Sequence, residues 1–132
     1  MSRARVLLAD DHEEFLAVEA RLLEPEFEVV TMAHSGREAL EEAARLGPDA
    51  LVLDISMPGL SGIETVRQLR ATGSLAKVVI LTVHGDPDYI RAALATGATG
   101  YVIKSRLASD LVPALREALA GRSFVSPSIC MD

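Results

Sequence analysis

The sequence predicts an α/β protein with three layers, in which a five-stranded parallel sheet lies between two layers of helices. Five short apolar segments of strand type alternate with five segments of helical type. The links between them are too short for anything except parallel strands joined by right-handed crossovers. Of the 132 residues, 49% are hydrophobic but only 4% are aromatic, which indicates an aliphatic interior. We expect one domain with one core.

Each predicted strand is an aliphatic run that stops at a polar or charged residue. Strands covered on both faces are nearly all aliphatic, so a charged residue is expected where the strand reaches the surface. The first run stops at the pair Asp10-Asp11, and the third stops at Asp54. The predicted strands span residues 5–9, 27–33, 50–53, 77–82 and 99–103.

Helix starts are predicted from capping residues. Ser35 and Ser61 are each followed three residues later by Glu, a capping box in which the hydroxyl and the carboxylate satisfy each other's exposed backbone N–H groups. Asp86-Pro87 predicts another start. In the last helix, Pro113 must lie in the first turn or bend the axis. The predicted helices run from His12 to Leu23, from Ser35 to Gly47, from Ser61 to about Arg70, from Asp86 to Gly97 and from Leu107 to Ala120.

Charge and hydropathy exclude several classes of function. The net charge of -6 argues against this chain gripping phosphate backbones, so any DNA binding is expected only through a domain outside these residues. No apolar run approaches the ~20 residues that cross a bilayer, and the first residues do not read as a signal sequence. We therefore expect a cytoplasmic protein with no membrane partner. The single cysteine, Cys130, is interpreted as a bystander thiol.

Asp54 is the first candidate for chemistry, because ligands of open α/β sheets gather at the carboxyl edge of the strands. Parallel strands deliver Asp10, Asp11, Thr82 and Lys104 to the same edge. Three carboxylates within ~5 Å repel by about 3 kcal/mol per pair at an effective dielectric near 20, which favours a bound cation. Hard oxygen ligands at this density suit Mg²⁺. Carboxylates, metal, lysine and hydroxyl together indicate a phosphoryl-transfer site in which Asp54 attacks phosphorus.

Each of these residues also has a structural interpretation. Asp10 or Asp11 alone could be an N-cap, and Asp54 before the Pro58-Gly59 turn could be a turn former. Thr82 suits a strand and Lys104 a solvated surface. These readings do not explain why such residues occupy the ends of four different strands. The histidines are treated separately: His12 is interpreted as an exposed helix-start residue, and His84 is expected to overhang the site.

From Arg3 to about Gly121 the chain resembles the receiver domain of a two-component response regulator. The ordered motifs are specific: Asp10-Asp11, Asp54 with Met57-Pro58-Gly59, Thr82, and Gly100-Tyr101 three residues before Lys104. The resemblance implies a flavodoxin-like sheet of strand order 2-1-3-4-5. It also implies that a partner histidine kinase phosphorylates Asp54, and that the protein is a phosphoacceptor assisting its own phosphorylation and dephosphorylation, not an enzyme with an external substrate.

The same resemblance assigns further roles. Asp11, Asp54 and the backbone carbonyl of Ser56 would hold Mg²⁺, with Asp10 acting partly through water. Thr82 and Tyr101 would be the switch pair: the hydroxyl turns toward the phosphoryl group and Tyr101 moves inward. Lys104 and Thr82 would contact the phosphoryl oxygens. Ser56 and His84 flank the path of hydrolytic water and are expected to tune dephosphorylation.

The C-terminal residues indicate which kind of output domain the receiver controls. Ser105 stands where many receivers have proline, so no cis peptide is expected. Ser105 and the ending GRSFVSPSI resemble the subfamily whose receiver is joined to a LuxR-type helix-turn-helix domain. We therefore expect a receiver over residues 1–121, a tail or linker over 122–132, control of transcription, and a homodimer on activation.

Other functions remain as alternatives. The chain could be a stand-alone receiver, or a pseudo-receiver that acts as an interaction module without phosphate. A haloacid-dehalogenase-like phosphatase needs a second Asp where this chain has Ser56, and a dinucleotide-binding domain needs a G-x-G-x-x-G motif after the first strand, where this chain has Asp10-Asp11.

Overall fold

The computed structural model describes residues 3–83 and 87–126. Its strands and helices alternate from the first strand onward, as the sequence predicts. The strands are β1 (Arg5–Ala9), β2 (Glu28–Ala33), β3 (Ala50–Asp54), β4 (Lys77–Thr82), β5 (Gly100–Ile103) and β6 (Phe124–Val125). The helices are α1 (Glu13–Leu23), α2 (Gly36–Leu46), α3 (Gly62–Ala71), α4 (Pro87–Ala95) and α5 (Leu107–Leu119), and a 3-10 turn over Lys104–Arg106 precedes α5. No helix in these ranges is long and apolar enough to span a bilayer.

All strands of the sheet are parallel, in the order β2-β1-β3-β4-β5-β6. The predicted order 2-1-3-4-5 is confirmed, and the short β6 extends the sheet beyond β5. Because strand side chains alternate between faces, the interior consists of two clusters where the sequence predicted one core. One cluster packs under α1 and α5, and the other under α2, α3 and α4. This is the predicted three-layer arrangement.

Helix capping differs in detail from the predicted reciprocal boxes. The hydroxyls of Ser35 and Ser61 accept hydrogen bonds from the backbone N–H of Glu38 and Glu64, as expected. The Glu38 carboxylate instead accepts from the backbone N–H of His34, and Glu64 pairs with Arg67. The N-cap predicted at Asp86 lies outside the described residues.

Pro113 is the seventh residue of α5, a helix that begins at Leu107, so it does not lie in the first turn. The 3-10 turn ahead of the helix places Pro113 still further from the start of the helical segment. All peptide bonds in the described ranges are trans, in keeping with the expectation at Ser105.

Part of the segment assigned to a tail belongs to the sheet. Phe124 and Val125 pair with Gly100 and Tyr101 of β5. The next residue, Ser126, is buried: its hydroxyl donates to Asp110 Oδ2 at 2.8 Å and accepts from the backbone N–H of Ile103 at 3.1 Å. The sheet therefore includes residues beyond Gly121.

Candidate functional site

The carboxyl ends of β1, β3, β4 and β5 carry the predicted site residues to one edge of the sheet. Asp54 is the last residue of β3, and Asp10 follows β1 directly, with its backbone N–H bonded to the carbonyl of Ala33. One oxygen each of Asp10, Asp11 and Asp54 and a ring nitrogen of His12 lie within 4.8 Å of one another. The predicted convergence of the acidic residues is therefore observed.

Lys104 reaches this acidic group from the far side of β4. Its Nζ lies 2.9 Å from Asp10 Oδ2 and 3.3 Å from Asp54 Oδ2. The three side chains are almost completely removed from solvent, with exposed fractions of 6%, 0% and 5% for Lys104, Asp10 and Asp54. Two carboxylates thus share one ammonium group in a region of reduced dielectric.

Burial and charge shift the pKa values of this group in opposing ways. Burial, and then the charge of Asp10, raise the pKa of Asp54, while Lys104 and the backbone N–H of Ser56 oppose that rise. Burial lowers the pKa of Lys104, but the hydrogen bond to Asp10 and the charges of Asp54 and Asp10 outweigh burial, so its pKa is raised overall. Lys104 therefore stays protonated at neutral pH, whereas burial and the nearby Asp10 carboxylate disfavour the charged form of Asp54.

Asp11 and His12 form the exposed rim of the site. The side chain of Asp11 is 30% exposed, and His12 Nδ1 lies 3.1 Å from Asp11 Oδ1 and 3.3 Å from Asp10 Oδ1. The sequence indicated only an exposed helix-start residue at His12. It is indeed the N-cap position of α1, but its ring makes no capping bond and faces the acidic pair. Its place directly after Asp10-Asp11 was the signal for this.

Phe15 is a second residue of the site that the sequence did not single out. The Lys104 ammonium lies over the Phe15 ring, 4.1 Å from its centroid. The His12 ring meets the same ring edge-on, with 6.2 Å between centroids. Phe15 stands one helical turn after His12, and that spacing could have placed it on the site side of α1.

The loop from β3 to α3 lies beside Asp54. The backbone N–H of Ser56 donates to Asp54 Oδ1 at 3.4 Å, and the N–H of Gly62 donates to the carbonyl of Ile55 at 3.0 Å. Gly59 has a φ of 77°, in the left-handed region that glycine adopts without strain. The predicted Pro58-Gly59 turn thus lets the chain fold back so that α3 begins beside Asp54.

Thr82 and Tyr101 stand on neighbouring strands. Thr82 ends β4 and is nearly buried, and Tyr101 of β5 is fully buried. Tyr101 is therefore already in the inward position that it was expected to reach on phosphorylation. A switch through this residue would have to begin from a conformation in which its side chain is more exposed. His84 lies outside the described residues.

A cleft of about 390 Å³ opens over these groups, lined by His12, Phe15, Asp54, Ser56, Thr82, Val83 and Lys104. A carboxylate, a lysine and a hydroxyl face this space together, at the edge where α/β sheets bind ligands. The arrangement suits a small anionic group placed beside Asp54.

Residues 6–116 match the family model of the response regulator receiver domain. The chain belongs to this family. It is thus the receiver domain of a two-component response regulator, a class of domain that is not an enzyme in the usual sense.

The relatives of this receiver include proteins named as transcriptional regulators and as response regulators. It is 34% identical to the transcriptional regulatory protein DegU of Brevibacillus brevis over 97% of this chain and 55% of that protein. It is 34% identical to the nitrate/nitrite response regulator protein NarL of Escherichia coli strain K12, over 96% of this chain and 59% of that protein. The chain therefore spans less than two thirds of the length of these relatives.

Solved structures agree with the receiver fold. A LuxR-family response regulator from Aurantimonas sp. SI85-9A1 superposes with a TM-score of 0.92 at 38% identity, covering 97% of this chain and 93% of that one. The receiver domain of NarL from Mycobacterium tuberculosis gives a TM-score of 0.88 at 30% identity, covering 92% of this chain and 100% of that one.

Proposed function

We propose that this receiver is phosphorylated on Asp54 by a partner histidine kinase in the presence of Mg²⁺. The observation that carries the proposal is the position of Asp54: it ends a buried strand, lines the cleft, and has the Lys104 ammonium 3.3 Å away. A turn former at this position would need neither a buried lysine nor a second buried carboxylate beside it.

The chemistry follows from this placement. One oxygen of Asp54 forms a bond to phosphorus while the bond from phosphorus to the histidine nitrogen of the kinase breaks, and that nitrogen keeps the electron pair. The product is an aspartyl phosphate with a larger negative charge than the carboxylate it replaces. Lys104 stands where it can neutralise that charge, and the Thr82 hydroxyl can donate a hydrogen bond.

The residues present fit a Mg²⁺ ion. Their carboxylate oxygens are hard ligands within 4.8 Å of one another, and a cation would offset the burial and the Asp10 charge that together raise the pKa of Asp54. Asp11, Asp54 and the backbone carbonyl of Ser56 would hold the ion, with Asp10 acting partly through water. When bound, the ion neutralises charge on the phosphoryl oxygens.

Phosphorylation is proposed to act on the fold through Thr82 and Tyr101. When the Thr82 hydroxyl turns toward a phosphoryl oxygen, the space beside Tyr101 changes, and the surface formed by α4, β5 and α5 changes with it. That surface would then serve homodimer formation on activation. Ser56 and His84 are proposed to tune the lifetime of the phosphoryl group.

The relatives suggest the output. DegU and NarL carry transcriptional or response-regulator names and are longer than this chain. We propose that the receiver controls a LuxR-type DNA-binding domain in the cytoplasm, and that such a domain would be joined after Ser126, since β6 is part of the sheet. A stand-alone receiver and a phosphate-independent pseudo-receiver are the alternatives.

The proposal is tested by incubating the wild type, Asp54→Asn and Asp49→Asn with labelled acetyl phosphate and Mg²⁺. Asp49 precedes β3 and binds the backbone N–H of Arg5 at the opposite edge of the sheet, so it is a matched control. The wild type and Asp49→Asn should take up label, and Asp54→Asn should not. Equal labelling of all three proteins would refute the assignment, and a folded wild type that takes up none would indicate a pseudo-receiver.

A further inference from the structure

The Lys104 ammonium has to be held far from its own strand. Lys104 follows β5 directly, whereas Asp54 ends β3 and Asp10 follows β1, and β4 lies between β5 and β3. At about 4.8 Å per strand, β5 and β1 are about 14 Å apart. The lysine side chain must therefore lie across the end of β4 to reach both carboxylates.

The Phe15 ring is a third group in contact with the Lys104 ammonium, beside the two carboxylates. Nζ donates to Asp10 Oδ2, pairs with Asp54 Oδ2, and lies 4.1 Å from the centre of the Phe15 ring. A ring face attracts a cation, and the attraction is stronger where water is excluded. The lysine side chain is 6% exposed, so this contact lies in such a region.

Phe15 is fixed by its own surroundings. It stands in the first turn of α1, and it packs against the cluster between the sheet, α1 and α5. The His12 ring meets it edge-on and also reaches Asp10 and Asp11. The Phe15 ring thus contacts both the apolar cluster under α1 and the groups of the site.

We propose that Phe15 is a positioning residue for phosphoryl transfer: its ring holds the Lys104 ammonium between Asp10 and Asp54, where it meets the charge of the phosphoryl group. This role rests on the proposed phosphorylation of Asp54. A leucine at this position would fill much of the same apolar space but would leave the ammonium without a π face. A tyrosine would keep the face.

The first test needs no variant. In the NMR spectrum of the wild type, the protons on Cε of Lys104 should be shifted upfield by the ring current of Phe15 and should show nuclear Overhauser contacts to its ring protons. Their absence would overturn the proposal, whatever the fate of any variant.

The second test compares Phe15→Leu, Phe15→Tyr and Phe27→Leu. Phe27 is a buried phenylalanine in the same cluster with no contact to Lys104 among the described residues, so its substitution matches the chemistry of Phe15→Leu. In each protein one measures the rate of phosphorylation by acetyl phosphate, the Kd of beryllofluoride at saturating Mg²⁺, and the Kd of Mg²⁺ alone.

Phe15→Leu should lower the phosphorylation rate and weaken beryllofluoride binding by about tenfold, or about 1.4 kcal/mol, with little change in the Kd of Mg²⁺. Phe15→Tyr should stay within about threefold of the wild type. Phe27→Leu should lose stability but phosphorylate normally. If Phe15→Leu matches the wild type, or if the folded Phe15→Tyr is as slow as Phe15→Leu, the positioning role is wrong. A wild type that takes up no phosphoryl group would instead refute the proposed function.

Discussion

Glu19 illustrates how one residue can work against the stability of the fold. It lies on the buried side of α1, and neither carboxylate oxygen has a hydrogen-bond partner within the described part of the chain. Burial, and then the charge of Asp10, raise its pKa from 4.5 to about 8, although Lys104 opposes the rise. The folded protein therefore keeps Glu19 protonated near neutral pH, because an unpaired buried carboxylate is strongly disfavoured.

This predicts an unusual pH dependence of stability. Between pH 4.5 and about 8 the folded state holds a proton that the unfolded state releases, so raising the pH favours unfolding by up to about 1.4 kcal/mol per unit from this group. The stabilising effect of the proton is complete below the unfolded pKa and is lost as the pH rises through about 8. In Glu19→Gln this loss should disappear.

The measurement is urea unfolding of the wild type, Glu19→Gln and Glu14→Gln at pH 6 and pH 8. Glu14 is an exposed residue of the same helix and serves as the control. Between pH 6 and pH 8 the unfolding free energy of the wild type should fall relative to that of Glu19→Gln. Parallel pH profiles for these two proteins would show that Glu19 does not titrate in this way.

At the scale of elements, the site depends on how closely α3 approaches the end of β3. A Cβ atom added at Gly62 would lie 2.6 Å from the backbone oxygen of Asp54 and 2.9 Å from the Cα of Ile55. Both neighbours are backbone atoms, which cannot move without shifting β3 or α3. The glycine therefore allows the start of α3 to lie this close to Asp54.

Gly62→Ala should destabilise the protein by about 1–3 kcal/mol and should also slow phosphorylation, because the strain falls on the backbone of Asp54. Gly36→Ala is the comparison: its Cβ would meet the side chains of Thr65 and Leu60 and lie 3.0 Å from the backbone oxygen of Leu60, and it does not approach the backbone of Asp54. It should cost similar stability without slowing phosphorylation. Thermal unfolding and acetyl phosphate labelling measure both effects, and equal labelling rates for the two variants would contradict the role of Gly62.

The second element with a specific consequence is β6. The Ser126 hydroxyl accepts from the partly buried backbone N–H of Ile103 and donates to the buried Asp110. Ser126→Ala should therefore cost about 1–3 kcal/mol in unfolding free energy. Ser109→Ala, which removes an exposed hydroxyl from the same aspartate, should cost within about 0.5 kcal/mol. Chemical denaturation compares the two, and equal costs would mean that the Ser126 hydroxyl does not anchor β6.

At the scale of the whole molecule, strand pattern alone was enough to place the acidic group. Each aliphatic run ends at its polar residue, and parallel pairing carries Asp10, Asp54 and Lys104 to one edge. What the pattern could not supply was how α1 packs over that edge. Leu16, Glu19 and Leu23 form the buried stripe of α1, whereas the apolar Val18 of the same helix is exposed.

Two other features that the sequence did not predict also depend on tertiary packing. The contact between Phe15 and Lys104 joins residues from α1 and the end of β5, which no local pattern connects. β6 has only two residues, too few for a detectable period, and it forms because the edge of β5 and the buried Asp110 offer partners. These tertiary partners, which no local pattern shows, explain why the strand forms there.

A bound cation should stabilise the whole domain, because an ion that binds only the folded state adds its binding free energy to stability. At about 100 times its Kd, Mg²⁺ should add about 2.7 kcal/mol. Thermal unfolding in MgCl₂ and in NaCl of equal ionic strength tests this. Asp11→Asn should abolish the difference and Asp49→Asn, which has the same net charge, should keep it. A shift of equal size in both variants would point to unspecific screening.

The central claim is that the phosphoryl group resides on Asp54. Reduction of an aspartyl phosphate with borohydride converts that residue to homoserine, which peptide mass spectrometry can locate. After treatment of the wild type with acetyl phosphate and Mg²⁺, homoserine should be found at position 54, with Asp10 and Asp11 unchanged. Homoserine at another aspartate, or none in a protein shown to be folded, would contradict the account.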